Sequence, residues 1–170
     1  MDYDIVDLEQ SRIDDALDFC VSAGTQPEHV EAQRQDSGRW LRQVLREWNP
    51  CGKMAYADGE AKGLILYLPA ALFTGRSLCK GYQDNDVEFP ASWSERGVVG
   101  IACFWVNATG RGIGGALLRA VLEELSRGRQ FRGTSCGEVG VMVDEGCGWP
   151  AGPAELFRKF GFEVEQSDPA

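Results

Sequence analysis

The sequence predicts an α/β fold in which helices flank a β-sheet, on three observations. A hairpin signal at Asp58 and Gly59 joins two apolar segments. Val98–Val106 is nearly continuous in apolar residues, as expected for a central strand covered on both faces. Soon after it, Ile113 begins a long amphipathic helical pattern. A chain of 170 residues is expected to form one domain, so residues 1–170 are predicted to fold as a single unit.

The N-terminal third is predicted to form a strand followed by two helices. Tyr3–Leu8 alternates weakly, as an edge strand does, and Ser11–Val21 follows as a helix. Ser11 and Asp14 have the spacing of an N-terminal capping box. A second apolar helical face runs from Trp40 to Trp48, before Asn49 and Pro50 end it.

The hairpin is predicted to consist of antiparallel strands at Lys53–Ala57 and Gly63–Leu68, joined by a type I′ turn. Residues 69–97 then show little periodicity, which predicts either a functional loop or a floppy insertion.

The helix that starts at Ile113 has the clearest amphipathic pattern in the chain, and Gly128 is its stop signal. Its polar face is predicted to carry Arg119, Glu123 and Glu124. Downstream, the patterns predict a strand, a short helix closed by Gly161 and a last strand, at Glu138–Val143, Ala154–Phe160 and Phe162–Val164 respectively.

Composition excludes several partner classes. With a formal net charge of -9, the chain is expected to avoid nucleic acid and anionic membranes. Residues 1–60 hold 13 Asp and Glu against 6 Lys and Arg, which indicates either solvated helix faces or a cationic acceptor substrate. The acidic N-terminus lacks secretory signal character, so a cytoplasmic location is expected.

Six cysteines are spread along the chain without a CxxC pair. Because His29 is the sole histidine, no zinc site is expected, and the cysteines are predicted to be reduced thiols.

The segment from Thr109 to Gly115 is glycine-rich and joins the predicted central strand to the long helix. The first amides of a helix lack internal partners and lie at the positive end of its dipole, so a turn without side chains lets an anion approach them. The pattern therefore predicts phosphate binding at Gly110, Gly112, Gly114 and Gly115.

Two nucleotide-binding classes fit this turn poorly. A Walker-type loop requires Lys and Ser or Thr after the last glycine, where this chain has Ala116 and Leu117. Gly110, Gly112 and Gly115 satisfy the dinucleotide pattern GxGxxG, but the acidic ribose partner is missing, and too little chain follows for a doubly wound sheet. A dinucleotide-dependent enzyme is kept as the third hypothesis.

The turn resembles the pyrophosphate motif of the GNAT acyltransferases, which reads Arg or Gln, two residues, Gly, one residue, then Gly or Ala. A second block, Ala154–Phe162, is similar to the family's last helix and closing Gly-Phe pair. The resemblance implies a single-domain acyl-CoA N-acyltransferase fold of the α/β (α+β) class, with a central mixed, mostly antiparallel sheet flanked by helices.

The resemblance also implies acetyl-CoA as co-substrate. Backbone groups of Phe104, Trp105 and Val106 would pair with the pantetheine arm, and an N–H near Trp105 or Val106 would support the thioester oxyanion. The diphosphate would lie on the turn formed by Thr109, Gly110, Arg111, Gly112, Ile113, Gly114 and Gly115.

Two residues depart from the family pattern. Thr109 replaces the usual Arg or Gln. Phe157 occupies the place of the Tyr that protonates the leaving CoA thiolate in many members, so this general acid is absent.

The remaining chemistry has several candidates. Asp144 and Glu145 are the nearest carboxylates for a general base, and solvated loop charges are the alternative interpretation. Cys103 could act covalently or be an inert buried thiol. Trp93, Trp149 and Pro150 could line an acceptor pocket, or they could simply pack against other side chains.

The leading hypothesis is an N-acetyltransferase in which a primary amine, on a small molecule or a side chain, attacks acetyl-CoA directly. The alternative is an acyl-CoA-binding or sensing domain without the chemistry. Family resemblance also allows a homodimer.

Overall fold

The computed structural model describes residues 2–24, 27–73, 88–107, 110–143 and 154–165. Within these ranges the helices are α1 (Ile13–Gly24), α2 (Val30–Glu47), α3 (Ala91–Arg96), α4 (Ile113–Ser126) and α5 (Ala154–Lys159). The strands are β1 (Asp4–Asp7), β2 (Gly52–Ala57), β3 (Glu60–Pro69), β4 (Val98–Val106), β5 (Gln130–Phe131), β6 (Thr134–Ser135) and β7 (Glu138–Val141). No helix in the described ranges is long and apolar enough to cross a bilayer.

Five strands in the described part of the chain form one mixed sheet, in the order β1-β2-β3-β4-β7. The first three pairs are antiparallel, whereas β7 runs parallel to β4. This confirms the predicted α/β class with a mostly antiparallel mixed sheet. The type I′ hairpin turn is also confirmed, because both Asp58 (φ 53°) and Gly59 (φ 78°) are left-handed.

Helices cover both faces of the sheet. A methyl group at Gly63 would lie 2.8 Å from Leu117 and 3.1 Å from Ile113, so α4 packs directly on β3. Three residues along β3, Leu66 pairs with Cys103, whose Sγ atom lies 4.0 Å from Sγ of Cys20 in α1. Because side chains alternate along a strand, α1 and α4 cover opposite faces, and the main core fills both interfaces.

The long helix is found where it was predicted, from Ile113 to Ser126, and Gly128 follows it with φ 82°. The prediction of its polar face is wrong for one residue, Glu124. The Glu124 side chain is mostly buried because Lys53 of β2 and Arg129 pair with it.

The predicted last strand at Phe162–Val164 is wrong, since Phe162 closes α5 instead. The Phe162 N–H bonds Phe157 O (3.2 Å) and the Gly161 N–H bonds Arg158 O (3.0 Å). Gly161 is left-handed, and the Phe157 and Phe162 rings lie 5.4 Å apart. This is the Schellman helix end with its apolar contact, which uses the backbone groups that a strand would need.

Other differences concern the helix starts and the loops. Ser11 lies inside the 3-10 turn Gln10–Arg12 and therefore does not cap α1. The β5–β6 hairpin was not predicted, because Arg132 and Gly133 supply its left-handed turn in place of the usual Asn-Gly or Asp-Gly pair. The connection 69–97 contains α3, and its residues 74–87 lie outside the described part of the chain.

Candidate functional site

The candidate site begins at a bulge in the central strand. Tyr67 pairs with Ile101 and Leu66 with Cys103, so Ala102 is an extra residue on β4. Continuous pairing with β7 also stops at Ile101 and Val141, beyond which Val143 makes an isolated bridge. In the described part of the chain, residues 102–106 of β4 therefore extend past the continuous β7 ladder. Bulges of this kind bend a strand and often adjoin active sites.

The glycine turn lies just past the end of β4. Gly110 (φ 78°) and Gly112 (φ 75°) are both left-handed, a conformation that side chains disfavour. Gly112 is the N-cap residue of α4 and supplies no side-chain cap. The first helical bond within α4 runs from the Ala116 N–H to Gly112 O (3.0 Å), so the preceding amides have no helical acceptor. Thr109 lies outside the described residues.

The residues present fit an anion at this turn. The first turn of α4 contains no acidic side chain that would repel one. Four glycines at positions 110, 112, 114 and 115 leave the backbone approachable. Arg111 adds an exposed cation beside them.

Aromatic residues form the floor beneath the turn. A methyl group at Gly114 would lie 3.5 Å from Phe104 and 3.7 Å from Leu156, whereas one at Gly115 would lie 3.8 Å from Phe160. The end of β4, the first turn of α4 and α5 therefore meet at these two glycines. Sequence reasoning named Phe104 and Phe157 but missed the roles of Leu156 and Phe160, because the packing of α5 under the turn leaves no local pattern.

Phe157 lies deep in this floor. Its side chain is 2% exposed, and its ring packs edge to face against Phe104 at a centroid distance of 6.0 Å. Neighbouring Trp105, by contrast, is 38% exposed, and its indole N–H donates to Asn107 Oδ1 at 3.0 Å. Phe157 thus offers packing and no proton at this position.

Sequence comparisons find no relative: no family model matches the chain, and no curated protein shows significant similarity to it. Solved structures do resemble it. AAC(6')-Iy in complex with the bisubstrate analog CoA-S-monomethyl-acetylneamine superposes with a TM-score of 0.60 at 16% identity, over 100% of this chain and 97% of that one. A GCN5-related N-acetyltransferase from Ralstonia eutropha has a TM-score of 0.56 at 17% identity, over 99% of each chain.

A third structure is a predicted acetyltransferase with acetyl-CoA from Clostridium acetobutylicum. Its TM-score is 0.56 at 10% identity, over 99% of this chain and 95% of that one. The chain has the GNAT acetyltransferase fold. At these identities the likeness concerns the fold alone.

Within this GNAT fold, the other predicted site residues fall in different surroundings. Asp144, Glu145, Trp149 and Pro150 lie outside the described residues. Cys103 is buried and points to the α1 side of the sheet, where its Sγ atom meets Cys20. A thiol enclosed in this way behaves as a small apolar side chain.

Trp93 is a packing residue of the GNAT sheet. Its ring covers Gly140, where a methyl group would lie 2.5 Å from the indole, and it stacks with Phe89 at 5.2 Å. Phe89 in turn covers Gly100, the parallel partner of Gly140, where a methyl group would lie 2.2 Å from the phenyl ring. Both glycines are therefore needed so that the aromatic rings can approach the sheet.

The bulge itself had no signal in the sequence, since Ala102 lies within an unbroken apolar run. Metal chemistry has no candidate here: among the described residues, no cluster of three His, Cys, Asp or Glu side chains could hold an ion.

Proposed function

We propose that this chain binds acetyl-CoA at the first turn of α4 and transfers the acetyl group to a primary amine. The observation that carries this proposal is the uncapped, glycine-flanked start of α4, located at the end of a bulged central strand in a GNAT fold. The proposed unit is one acyltransferase domain over residues 1–170.

The diphosphate of acetyl-CoA would accept hydrogen bonds from the amides of Ile113, Gly114 and Gly115. These N–H groups precede the first bonded amide of α4, so they have no helical acceptor to give up. Gly110 and Gly112 keep the approach open, and Arg111 contributes a positive charge. Thr109 is proposed to contribute its backbone.

The pantetheine arm would run along the part of β4 that extends past the β7 ladder. Peptide groups of Phe104, Trp105 and Val106 would bond its amides, as a missing strand would. The same segment would provide an N–H to the thioester oxygen as negative charge develops there, a contribution of about 3 kcal/mol.

In the reaction, the neutral amine nitrogen attacks the thioester carbonyl carbon. A C–N bond forms, the C–S bond breaks with its electron pair going to the CoA sulfur, and the nitrogen loses a proton. Asp144 and Glu145 are the proposed bases for the amine proton. Phe157 supplies no proton, so the thiolate would be protonated by water or released as the anion.

The proposed acceptor is a primary amine on a small molecule or a side chain. The excess of acidic residues in positions 1–60 would favour a cation, because seven Asp and Glu but only Arg12 lie between residues 2 and 24, a segment that includes α1. AAC(6')-Iy, whose bisubstrate analog contains acetylneamine, is one structure of this fold with a small amine-derived group bound.

A binding or sensing module is the second candidate, and the buried Phe157 favours it because it removes one usual proton donor. The two functions differ in thiol release. An acetyltransferase releases CoA thiol faster when amines are added, whereas a sensing module binds acetyl-CoA and releases none.

Thermal unfolding with acetyl-CoA, CoA, NADPH or ATP tests the proposal. A ligand at a hundred times its Kd stabilises by about 2.7 kcal/mol, roughly 5 to 10 °C for this size. We expect a shift with acetyl-CoA and CoA and none with NADPH. A shift with NADPH alone would favour the dinucleotide hypothesis, and the absence of any shift would refute binding at the turn.

A further inference from the structure

Arg119 is an exposed cation on α4, one helical turn beyond Gly115. Its guanidinium carbon lies 5.8 Å from the centre of the Phe160 ring. The same ring would be 3.8 Å from a methyl group at Gly115. Helical side chains lean toward the helix N-terminus, so Arg119 reaches back along the Phe160 side toward the glycine turn.

Its ionic surroundings distinguish Arg119 from two other arginines near α4. Arg129 is paired with Glu124, and Arg132 with Glu47. Among the described residues, Arg119 makes no ion pair within 4.0 Å, and its contact is the Phe160 ring. Since Gly115 has no side chain, nothing from that residue stands between the guanidinium and the turn.

We infer that Arg119 binds the 3′-phosphate of CoA and makes the site select CoA over its 3′-dephospho form. The inference rests on the proposed function, because it needs the CoA diphosphate on the first turn of α4. The 3′-phosphate is carried by the same ribose as that diphosphate. A cation one turn along the helix, about 5.4 Å further, is therefore within reach of it.

A guanidinium suits this role for two reasons. It binds phosphate oxygens through two parallel N–H bonds, which a rotating ammonium group does less specifically. The Phe160 ring also holds the planar group by a cation–π contact, so less side-chain freedom is lost when phosphate binds.

Isothermal titration calorimetry with CoA and 3′-dephospho-CoA tests the inference. We expect the wild-type chain to bind CoA about tenfold more tightly, because one charge-assisted contact is lost in the dephospho form. Arg119→Gln should bind both ligands equally, with the affinity of the wild type for 3′-dephospho-CoA. Arg119→Lys should keep part of the preference.

Arg127→Gln is the matched control, because Arg127 carries the same charge at the opposite end of α4. This control should keep the full preference for CoA. If Arg119→Gln binds CoA and keeps the preference, or if the wild type shows none, the assignment of Arg119 is wrong while acetyl-CoA binding stands. If the wild type binds neither ligand, the proposed function fails and the inference with it.

Discussion

The two ends of α4 differ in whether their polar groups have hydrogen-bond partners. At the N-terminal end, Gly112 supplies no side-chain cap, and the first turn has no acidic residue. At the C-terminal end, the carboxylate of Glu124 accepts hydrogen bonds from Lys53 (2.6 Å), Tyr67 (2.8 Å) and Arg129 (2.7 Å). The N-terminal end leaves backbone donors without helical partners, whereas at the C-terminal end both oxygens of a side-chain carboxylate accept hydrogen bonds.

Hydrogen bonds at the C-terminal end connect α4 to three strands and a loop. Lys53 of β2 also donates to Asp7 of β1 at 2.5 Å. Arg129 donates to the carbonyl oxygens of Asn49 (3.1 Å) and Pro50 (2.9 Å), and its guanidinium lies 3.4 Å from the centre of the Trp48 ring. Two cations and two anions balance in this network. We conclude that these contacts fix the C-terminal end of α4 on the sheet, and that they use none of the backbone groups at its N-terminal end.

The largest effect is expected from Glu124→Gln, which removes the charge but keeps the shape. Lys53, with a side chain only 9% exposed, would then face Arg129 with Asp7 as its remaining anion. We expect unfolding by urea to show a loss of about 3 kcal/mol.

The adjacent Glu123→Gln is the control for this variant, because Glu123 is exposed on the same helix. It should change stability by less than about 0.5 kcal/mol. Equal effects of the two variants would mean that the C-terminal end is no more important than ordinary helix surface.

The next largest effect is expected at the N-terminal end of α4, on the affinity for acetyl-CoA. Gly114→Glu places a carboxylate where the diphosphate is proposed to lie, and we expect acetyl-CoA affinity to fall at least a hundredfold by calorimetry. A β-carbon there makes ordinary contacts at 3.5 Å or more, so the variant should fold. Gly114→Ala, with the same β-carbon but no charge, should bind far better than Gly114→Glu. Unchanged binding by Gly114→Glu would refute the motif assignment.

The contrast between the two ends of α4 also explains which features could be predicted from the sequence. The bounds of β4 and the start of α4 were predicted because an unbroken apolar run and a helical period are local patterns. The glycine turn was equally visible, since glycines are needed where φ is positive. A glycine-rich, uncapped helix start can therefore be found from the sequence.

The network at the other end could not be found in this way. Glu124 looked like a solvated residue because its partners Lys53 and Tyr67 come from strands distant in the chain. The bulge at Ala102 depends on how β3 and β4 pair, and Phe162 caps α5 by backbone bonds. These features arise from tertiary contacts, which no period in the sequence records.

A third prediction concerns pH, because the C-terminal side of α4 also holds buried acids. Burial raises the pKa of Cys51 from 9.0 to about 12, partly offset by a backbone hydrogen bond and by the charge of Arg129. Above pH 9 the unfolded chain releases this proton while the folded chain keeps it. The stabilisation is thus complete below pH 9 and falls by up to about 1.4 kcal/mol per pH unit above it.

Burial and the Glu124 carboxylate likewise raise the pKa of Tyr67 above its usual 10.0, which adds to the loss beyond pH 10. Urea unfolding at pH 8, 9 and 10 measures the slope. Cys51→Ala should lose less stability than the wild type between pH 9 and 10. Identical slopes would show that Cys51 does not titrate in this range on unfolding.

The smallest effect is expected from Phe157→Tyr, in the aromatic floor beneath the glycine turn. If protonation of the CoA thiolate limits turnover, a hydroxyl at this position supplies the missing proton donor, and thiol release with an amine should rise severalfold. The hydroxyl enters a position that is 2% exposed, between the rings of Phe104 and Phe162, so stability should fall by about 1 kcal/mol. Phe162→Tyr adds the same group to the neighbouring ring that closes α5 and should leave turnover unchanged. An unaltered rate for Phe157→Tyr from pH 6 to 9 would mean that the thiolate leaves unaided, and that the floor contributes packing alone.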